Sequence, residues 1–595
     1  MLKKLEYYIR RPGYYLSIAF SDILFTVFFI LLVLKLILFD YINGLKTLSF
    51  SADFGVIVIL LSFSLFIRKK ASKLSYLLFL NLLFSLIFFT NALYRTYFED
   101  FASAYYIEQI PLLLDVKDSV IYIIDEKFLF FIDFVFVPFL FLKLKTKHIH
   151  SLRDRTISVI IFLLLGLFCN LTVITSMISG LNYFTFIGER YICVWYTGVI
   201  NYQIFDIYSF LSSKLKKLSV TQSDINVVKK WFEDNKRNVT NDFTGIGKGY
   251  NLIIIQLESM QDFVIDRRYE GREITPNLNK LAREGIRFKN IYDQTSAGGS
   301  SDATLLANSS LYPSRTGAVS FQYAENYFDS LPKVLREHGY MTVVMHPHVK
   351  SFWNSETFEK SIGFEQQFYK KDFVIVEKIG LGLSDRAFFS QSLEKIKQLK
   401  QPFYVFLRTL TAHFPYNYVK KEIDDFPLSD MEGKITGHYF RTMHYVDFAI
   451  GEFISKLSEN SLASKTILVV YSDHRARLPE DELQSIGIDY SAEHRKIPLI
   501  IYIPNKSLGI ERETIGGLID VTPTICNILG IDISDKFFLG RDLINSDKGY
   551  VIFRNGTYLS QGNSMNKINA RKQLMISDLI LEKNLIPLIN EQRNK

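Results

Sequence analysis

Two apolar runs, more than two hundred residues apart, end in side chains that bind cations. Ile253-Ile254-Ile255-Gln256-Leu257 leads into Glu258-Ser259, and Thr466 to Val470 leads through Tyr471-Ser472 into Asp473-His474. Buried parallel strands read as continuous apolar runs, and open α/β sheets gather their ligands beyond the carboxyl ends of such strands. A charged side chain there is costly unless it is paired or bound to a metal. Two carboxylates and an imidazole at one sheet edge suit a divalent cation, Mn2+, Mg2+ or Zn2+ alike. Between the runs lies a hydroxyl-rich loop, Gln294-Thr295-Ser296-Ala297-Gly298-Gly299-Ser300-Ser301-Asp302, ahead of a helix expected over Ala303 to Ser309. The free amides and dipole of a helix start can receive an anion, and a serine hydroxyl becomes a competent nucleophile when a metal deprotonates it.

Each feature also has a plainer explanation. A strand-terminal Glu can cap the next element, Asp-His can form a hydrogen-bonded turn, and a Gly-Ser loop with an Asp is by default a helix cap. The combination favours chemistry. His413, in Thr411-Ala412-His413-Phe414-Pro415, is a candidate for proton transfer or for binding a phosphate oxygen. His346 and Trp353 follow another expected strand and suit the same pocket, although loop packing alone would account for both.

Alternating elements supply the positions. From Tyr250 onward the pattern predicts strands over Leu252–Leu257, Met341–Met345, Phe403–Leu407, Thr466–Tyr471 and Leu499–Ile503. Helices are expected over Pro276–Glu284, Ser330–His338, Arg386–Lys397 and Thr442–Ser458. Such alternation specifies an α/β domain, assigned to residues 246–595, with a largely parallel sheet. The stretch from Lys567 reads as either an ordered amphipathic helix or a loose tail.

The first third is different. With 51 Phe, 34 Tyr and 48% hydrophobic residues among 595, the chain is too apolar to be wholly soluble. Five segments approach or exceed the length of a membrane-spanning helix: Leu16–Phe39, Phe54–Ile67, Leu74–Leu93, Phe128–Leu142 and Ile157–Ile178. They predict a five-helix domain over residues 1–180, followed by a membrane-proximal connector over 181–245. Lys3, Lys4, Arg10 and Arg11, then Arg68, Lys69, Lys70 and Lys73, then Lys143, Lys145, Lys147, Arg153 and Arg155 occupy alternate connections, which places those connections in the cytoplasm. An odd number of spans then puts everything after Ile178 outside the cell. Three cysteines, one of them inside the fifth span, are too few for a disulfide framework. The formal charge of +8 follows from cytoplasmic flanks and surface lysines, so nucleic acid is not an expected partner.

Taken together, Ile255-Gln256-Leu257-Glu258-Ser259, Ser300-Ser301-Asp302, Phe352-Trp353-Asn354, Leu410-Thr411-Ala412-His413-Phe414-Pro415, Ser472-Asp473-His474 and Ile519-Asp520-Val521-Thr522-Pro523-Thr524 resemble the lipoteichoic acid synthase family. Those are membrane-bound, sulfatase-like members of the alkaline phosphatase superfamily, and the resemblance spans nearly the full chain. It implies Glu258, Asp473, His474 and Ser300 as ligands of one cation, usually Mn2+, with Ser300 also the nucleophile. It further implies His346, Trp353 and His413 around a bound glycerol phosphate, a membrane phospholipid donor and a glycolipid or teichoic-acid-like acceptor. Two departures stand out: the family's usual nucleophile is threonine, and an arginine usually follows Trp-Asn where this chain has Ser355. Arg315, Lys350 and Arg475 are the candidates to replace that cation. Rival readings are a phosphoethanolamine transferase, another sulfatase-like hydrolase, and a non-catalytic membrane scaffold on a degenerate sulfatase fold.

Overall fold

A computed structural model describes residues 12–45, 47–98, 101–105, 107, 110, 117–137, 151–178, 190–215, 220–235, 240–490, 495–562 and 564–593. The chain forms two compact units: residues 1–107 with 120–217, and residues 108–119 with 218–595.

In the first unit three helices among the described residues are long and apolar enough to cross a membrane. These are α1 (Ile23–Asn43), α2 (Thr47–Ser62, prolonged by a 3-10 turn to Phe66) and α3 (Lys70–Phe98). Asp22 caps α1 by accepting from the N–H groups of Leu24 and Phe25, and Gly44 ends it in the left-handed region at φ 62°. Lys35, one of two charged residues within α1, is buried. It donates to Asn81 (2.8 Å) and Ser85 (2.7 Å) of α3 and pairs with Asp133 (2.8 Å), as an ionisable group inside an apolar bundle must. A β-carbon on Gly55 of α2 would lie 2.7 Å from the Gly166 carbonyl, so small residues let these two helices approach closely. The expected fifth span is a pair of helices, Leu152–Cys169 and Leu171–Ile178, divided at Asn170. The Asn170 amide donates to the carbonyls of Ala52 (3.1 Å) and Gly166 (3.0 Å). The expected fourth span begins as a 3-10 turn through Phe131 and a helical stretch over 133–137; residues 138–150 lie outside the described residues.

The second unit is built on an eight-stranded sheet. In chain order its strands are β1 (Asn251–Leu257), β2 (Ile286–Tyr292), β3 (Met341–Met345), β4 (Gln366–Phe368), β5 (Phe403–Arg408), β6 (Thr466–Ser472), β7 (Leu499–Tyr502) and β8 (Ile510–Gly517). They lie in the order β8-β2-β7-β6-β1-β5-β3-β4, with β7 alone running against the rest. Every residue of β1, β5 and β6 is buried, which explains their unbroken apolar character.

Strands β2 and β8 escape the sequence pattern because they carry charges, which the fold pairs both across the two strands and with acids outside them. Lys289 reaches Glu511 (3.3 Å) and Glu513 (3.0 Å), while buried Arg287 meets Asp266 (2.6 Å) and Asp262 (3.3 Å). The helix expected from Thr442 starts earlier, at Ile435. The chain's end is ordered: helices Lys567–Lys583 and Leu585–Arg593 bury Ala570, Ile576, Ile580, Leu585 and Ile589 in the core.

Candidate active site

Four adjacent parallel strands, β6-β1-β5-β3, end at the same edge of the sheet, and the residues just past them are the ones that carry chemistry. Glu258 follows β1, Asp473-His474 follows β6, His346 follows β3, and the segment after β5 leads to His413. The parallel register aligns Leu257 with Ser472, so Glu258 and Asp473-His474 necessarily converge.

Glu258, Asp473 and His474 each offer a ligand atom within 4.8 Å of the others. His474 Nε2 stands 3.6 Å from both Glu258 Oε1 and Asp473 Oδ2. Its Nδ1 faces the Arg475 carbonyl at 3.0 Å, which commits that nitrogen as the donor and leaves Nε2 its lone pair. The carboxylates are held as firmly: Asp473 Oδ1 accepts from the N–H of Ser259 (2.9 Å) and of His474 (2.7 Å), and Glu258 Oε1 accepts from the Ser259 hydroxyl (2.7 Å). Burial and then the adjoining Glu258 charge push the Asp473 carboxyl upward. Burial opposes the charged form of His474, but Asp473 and Glu258 outweigh it and hold the imidazole above its ordinary value. Two buried carboxylates with an imidazole nitrogen 3.6 Å from each make a donor set that fits a divalent cation, whose charge would offset the crowded negative charge.

Ser300 opens helix α4 (Ser300–Ser309), whose first turn is one turn earlier than the sequence suggests. Its Oγ is 3.5 Å from Glu258 Oε2. Ser301, by contrast, is buried and turned away, donating to the Gly298 carbonyl (2.7 Å) and receiving the Ser320 hydroxyl (3.1 Å). The fully buried Asp302 ties the loop down by accepting from the N–H of Ser296 (3.0 Å) and Gly298 (2.8 Å), and burial pushes its carboxyl up to about 7. Gly298 is fixed by this packing, because a β-carbon there would lie 2.2 Å from Asp302. On Gly299, at φ 46°, a β-carbon would be 3.5 Å from the Trp353 ring and 3.9 Å from His474, so the serine loop runs between them.

His413 is buried, its Nδ1 bonded to the Phe414 carbonyl (2.9 Å), and burial pushes its pKa down to about 4. The loop that carries it hangs on Asp385, which accepts from the N–H of Leu410 (2.9 Å) and Thr411 (3.1 Å). His346 faces the Arg408 carbonyl at 3.3 Å and is likewise kept neutral by burial. Trp353 and Asn354 both adopt positive φ, 54° and 50°, as does Ser259 at 55°. Non-glycine residues in this region are strained, and here they border the candidate side chains.

Sequence reasoning missed the supports. Gln256, polar within an apolar strand, donates to the Ser300 carbonyl (3.2 Å) and accepts from the Tyr471 hydroxyl (3.0 Å). Thr409 receives the Glu258 N–H (2.9 Å), and Tyr439 donates to the Ser259 carbonyl (3.1 Å). A polar residue inside an apolar run was the available signal for Gln256. The cation beside Ser355 was missed as well. Arg315 is engaged by Asp578 and Glu582 and Lys350 by Glu356, while Arg475 follows the cluster with its N–H bonded to Asp293 (3.2 Å). It is Arg408, at the end of β5, that donates to the Ser355 hydroxyl (3.1 Å), and it pairs with Glu359 at 2.5 Å.

A cation-suited cluster beside a helix-opening serine, at the carboxyl edge of this sheet, defines an enzyme of the sulfatase type, and residues 250–531 match the sulfatase family. Residues 13–218 match the lipoteichoic acid synthase N-terminal domain. The chain is 30% identical over 545 residues to lipoteichoic acid synthase 2 of Bacillus subtilis, covering 87% of this chain and 81% of that one. It is 28% identical over 522 residues to the lipoteichoic acid synthase of Staphylococcus aureus strain USA300, covering 85% and 80%. The crystal structure of the lipoteichoic acid synthase LtaP from Listeria monocytogenes superposes with a TM-score of 0.54 at 27% identity, over 62% of this chain and 98% of that one. The chain belongs to the lipoteichoic acid synthase family and is a phosphoglycerol transferase of that type.

Proposed function

We propose that this enzyme transfers a phosphoglycerol group from phosphatidylglycerol to a lipoteichoic-acid-like polymer or glycolipid through a covalent serine intermediate, on the outer face of the cell membrane. The observation that carries the proposal is the orientation of Ser300, whose hydroxyl faces the Glu258-Asp473-His474 cluster while Ser301 is bonded inward.

Glu258, Asp473, His474 and Ser300 would hold the cation, for which Mn2+ is the proposed identity. Such an ion supplies charge that acidifies the serine hydroxyl and stabilises the phosphoryl oxygens. Ser300 Oγ attacks phosphorus, the bond to the diacylglycerol oxygen breaks, and diacylglycerol leaves with a proton. His413, neutral at physiological pH, has the state needed to take the proton lost by the attacking hydroxyl and return it to the leaving oxygen. An acceptor hydroxyl then attacks the phosphoglyceryl-serine and restores Ser300. His346 and Trp353 bind the glycerol phosphate, and Asp302 with Gln256 fix the serine loop for both attacks.

A phosphoethanolamine transferase commonly carries disulfides in its exported domain, whereas Cys169, Cys193 and Cys526 are all free here. A sulfatase usually carries a cysteine-centred precursor of formylglycine at this position, and Gly298-Gly299-Ser300-Ser301-Asp302 contains no cysteine. Release of diacylglycerol from labelled phosphatidylglycerol tests the proposal. Wild type should release it, Ser300→Thr should retain part of the activity, and a Ser300→Ala variant that releases it at the normal rate would refute the assignment.

A further inference from the structure

The segment 369–385 lies along the rim of the site just described. The Lys370 N–H donates to the His348 carbonyl (2.9 Å), and a β-carbon on Gly382 would touch the Leu410 side chain (2.9 Å) and the Pro347 carbonyl (3.2 Å). It is thus wedged between the loops that carry His346 and His413. Its tip is Val374-Ile375-Val376, three consecutive apolar residues with relative exposures of 69%, 42% and 70%. Phe373, just before them, is buried against Phe388, so the chain turns its apolar tip outward from a fixed base. Runs of three or more exposed apolar residues are avoided on soluble surfaces unless they have a use.

The charges around the tip are sorted by sign. Lys370, Lys371 and Lys378 are exposed and have no ion pair among the described residues. The two acids within residues 370–378 are turned back into the protein: Asp372 accepts from the Tyr369 N–H (2.9 Å), and Glu377 receives the hydroxyls of Ser384 and Tyr445. What faces solvent is an apolar point ringed by lysines. This is the pattern of an interfacial anchor, with apolar groups for the acyl boundary and cations for the headgroups.

We infer that residues 370–378 form a docking loop that inserts Val374-Ile375-Val376 into an anionic lipid surface and sets Lys370, Lys371 and Lys378 against its headgroups. The loop presents the rim of the pocket to the bilayer, and the inference does not depend on which lipid reacts at Ser300. Each lysine contributes about a fivefold preference for an anionic over a neutral surface.

The test uses the full chain in vesicles, with Cys169, Cys193 and Cys526 replaced by serine and an environment-sensitive fluorophore on Ile375→Cys. The reference probe is placed at Asp547→Cys, an exposed position outside this segment. In phosphatidylcholine vesicles containing phosphatidylserine, the probe at 375 should shift to the blue and be quenched by lipids spin-labelled on their acyl chains, while the probe at 547 should not. Lys370→Gln/Lys371→Gln/Lys378→Gln should reduce that quenching, as should raising the salt. Emission at 375 matching that at 547, equal quenching at both, or self-quenching between labelled copies that is insensitive to lipid would each overturn the inference. The last result would assign the loop to a second copy of the chain.

Discussion

Replacing Glu359 with Gln should destabilise the second unit far more than an ordinary substitution. Arg408 and Glu359 are 3% and 0% exposed, and their charged atoms meet at 2.5 Å. Tyr369 donates to the carboxylate (2.8 Å), and Arg408 also donates to Ser355 (3.1 Å). The attraction within such a pair is largely offset by desolvation, so the pair as a whole adds little. Removing one member strands the other charge at a cost of about 3–5 kcal/mol, against a total stability of about 5–15 kcal/mol. The side-chain carbonyl of the introduced glutamine could still accept the Tyr369 hydroxyl, so the loss isolates the charge. Arg408→Met combined with Glu359→Leu removes both charges and should recover most of it. Turnover should fall in Glu359→Gln as well, because the Arg408 carbonyl meets His346 and its guanidinium anchors the turn that carries Trp353. Urea unfolding followed by tryptophan fluorescence, across Glu359→Gln, Glu359→Leu, Arg408→Met and the double variant, measures the effect. A loss below about 1 kcal/mol in Glu359→Gln, or a double variant as unstable as the sum of the singles, would refute the reasoning.

Burial pushes the His348 pKa down to about 4, so the folded state resists a proton that the unfolded chain accepts below its ordinary value of about 6.5. Stability from this group is present above pH 6.5 and is lost, by roughly 3 kcal/mol at most, as pH falls from 6.5 to 4. A His348→Gln variant should flatten that part of the pH–stability curve, and an unchanged slope would show that His348 does not cause it. Asp473→Ala should remove most bound divalent cation, read by elemental analysis, while circular dichroism stays near wild type; wild-type metal stoichiometry would remove Asp473 from the ligand set. A reporter enzyme fused after Lys595 should be active only outside the cell, and cytoplasmic activity would invert the proposed topology.

The parallel core was legible because β1, β5 and β6 are buried on all faces, and such strands leave an unbroken apolar record. Strands β2 and β8 were not, since their charges pair only after β8 has crossed the chain to lie beside β2. At the site, the metal-binding types and the serine loop could be read from residues at strand ends. The choice of Ser300 over Ser301 gains its physical basis only from the fold, which bonds Ser301 to Gly298 and leaves Ser300 facing Glu258. The Arg408–Glu359 pair was invisible because its members are far apart in sequence and neither lies in a motif. The pair of helices divided at Asn170 shows the same limit in the first unit, where composition marks one apolar segment and the Asn170 amide bonds to the Ala52 carbonyl of another helix at the break.

Whether phosphorus becomes covalently bound to Ser300 decides the proposed mechanism, and mass spectrometry of the acid-quenched enzyme after incubation with phosphatidylglycerol reads it out. A glycerophosphoryl adduct is expected on the peptide containing Ser300, localised to that residue by fragmentation and absent from Ser300→Ala. An adduct on Ser301 or Ser296, or transfer by Ser300→Ala at the wild-type rate, would contradict it.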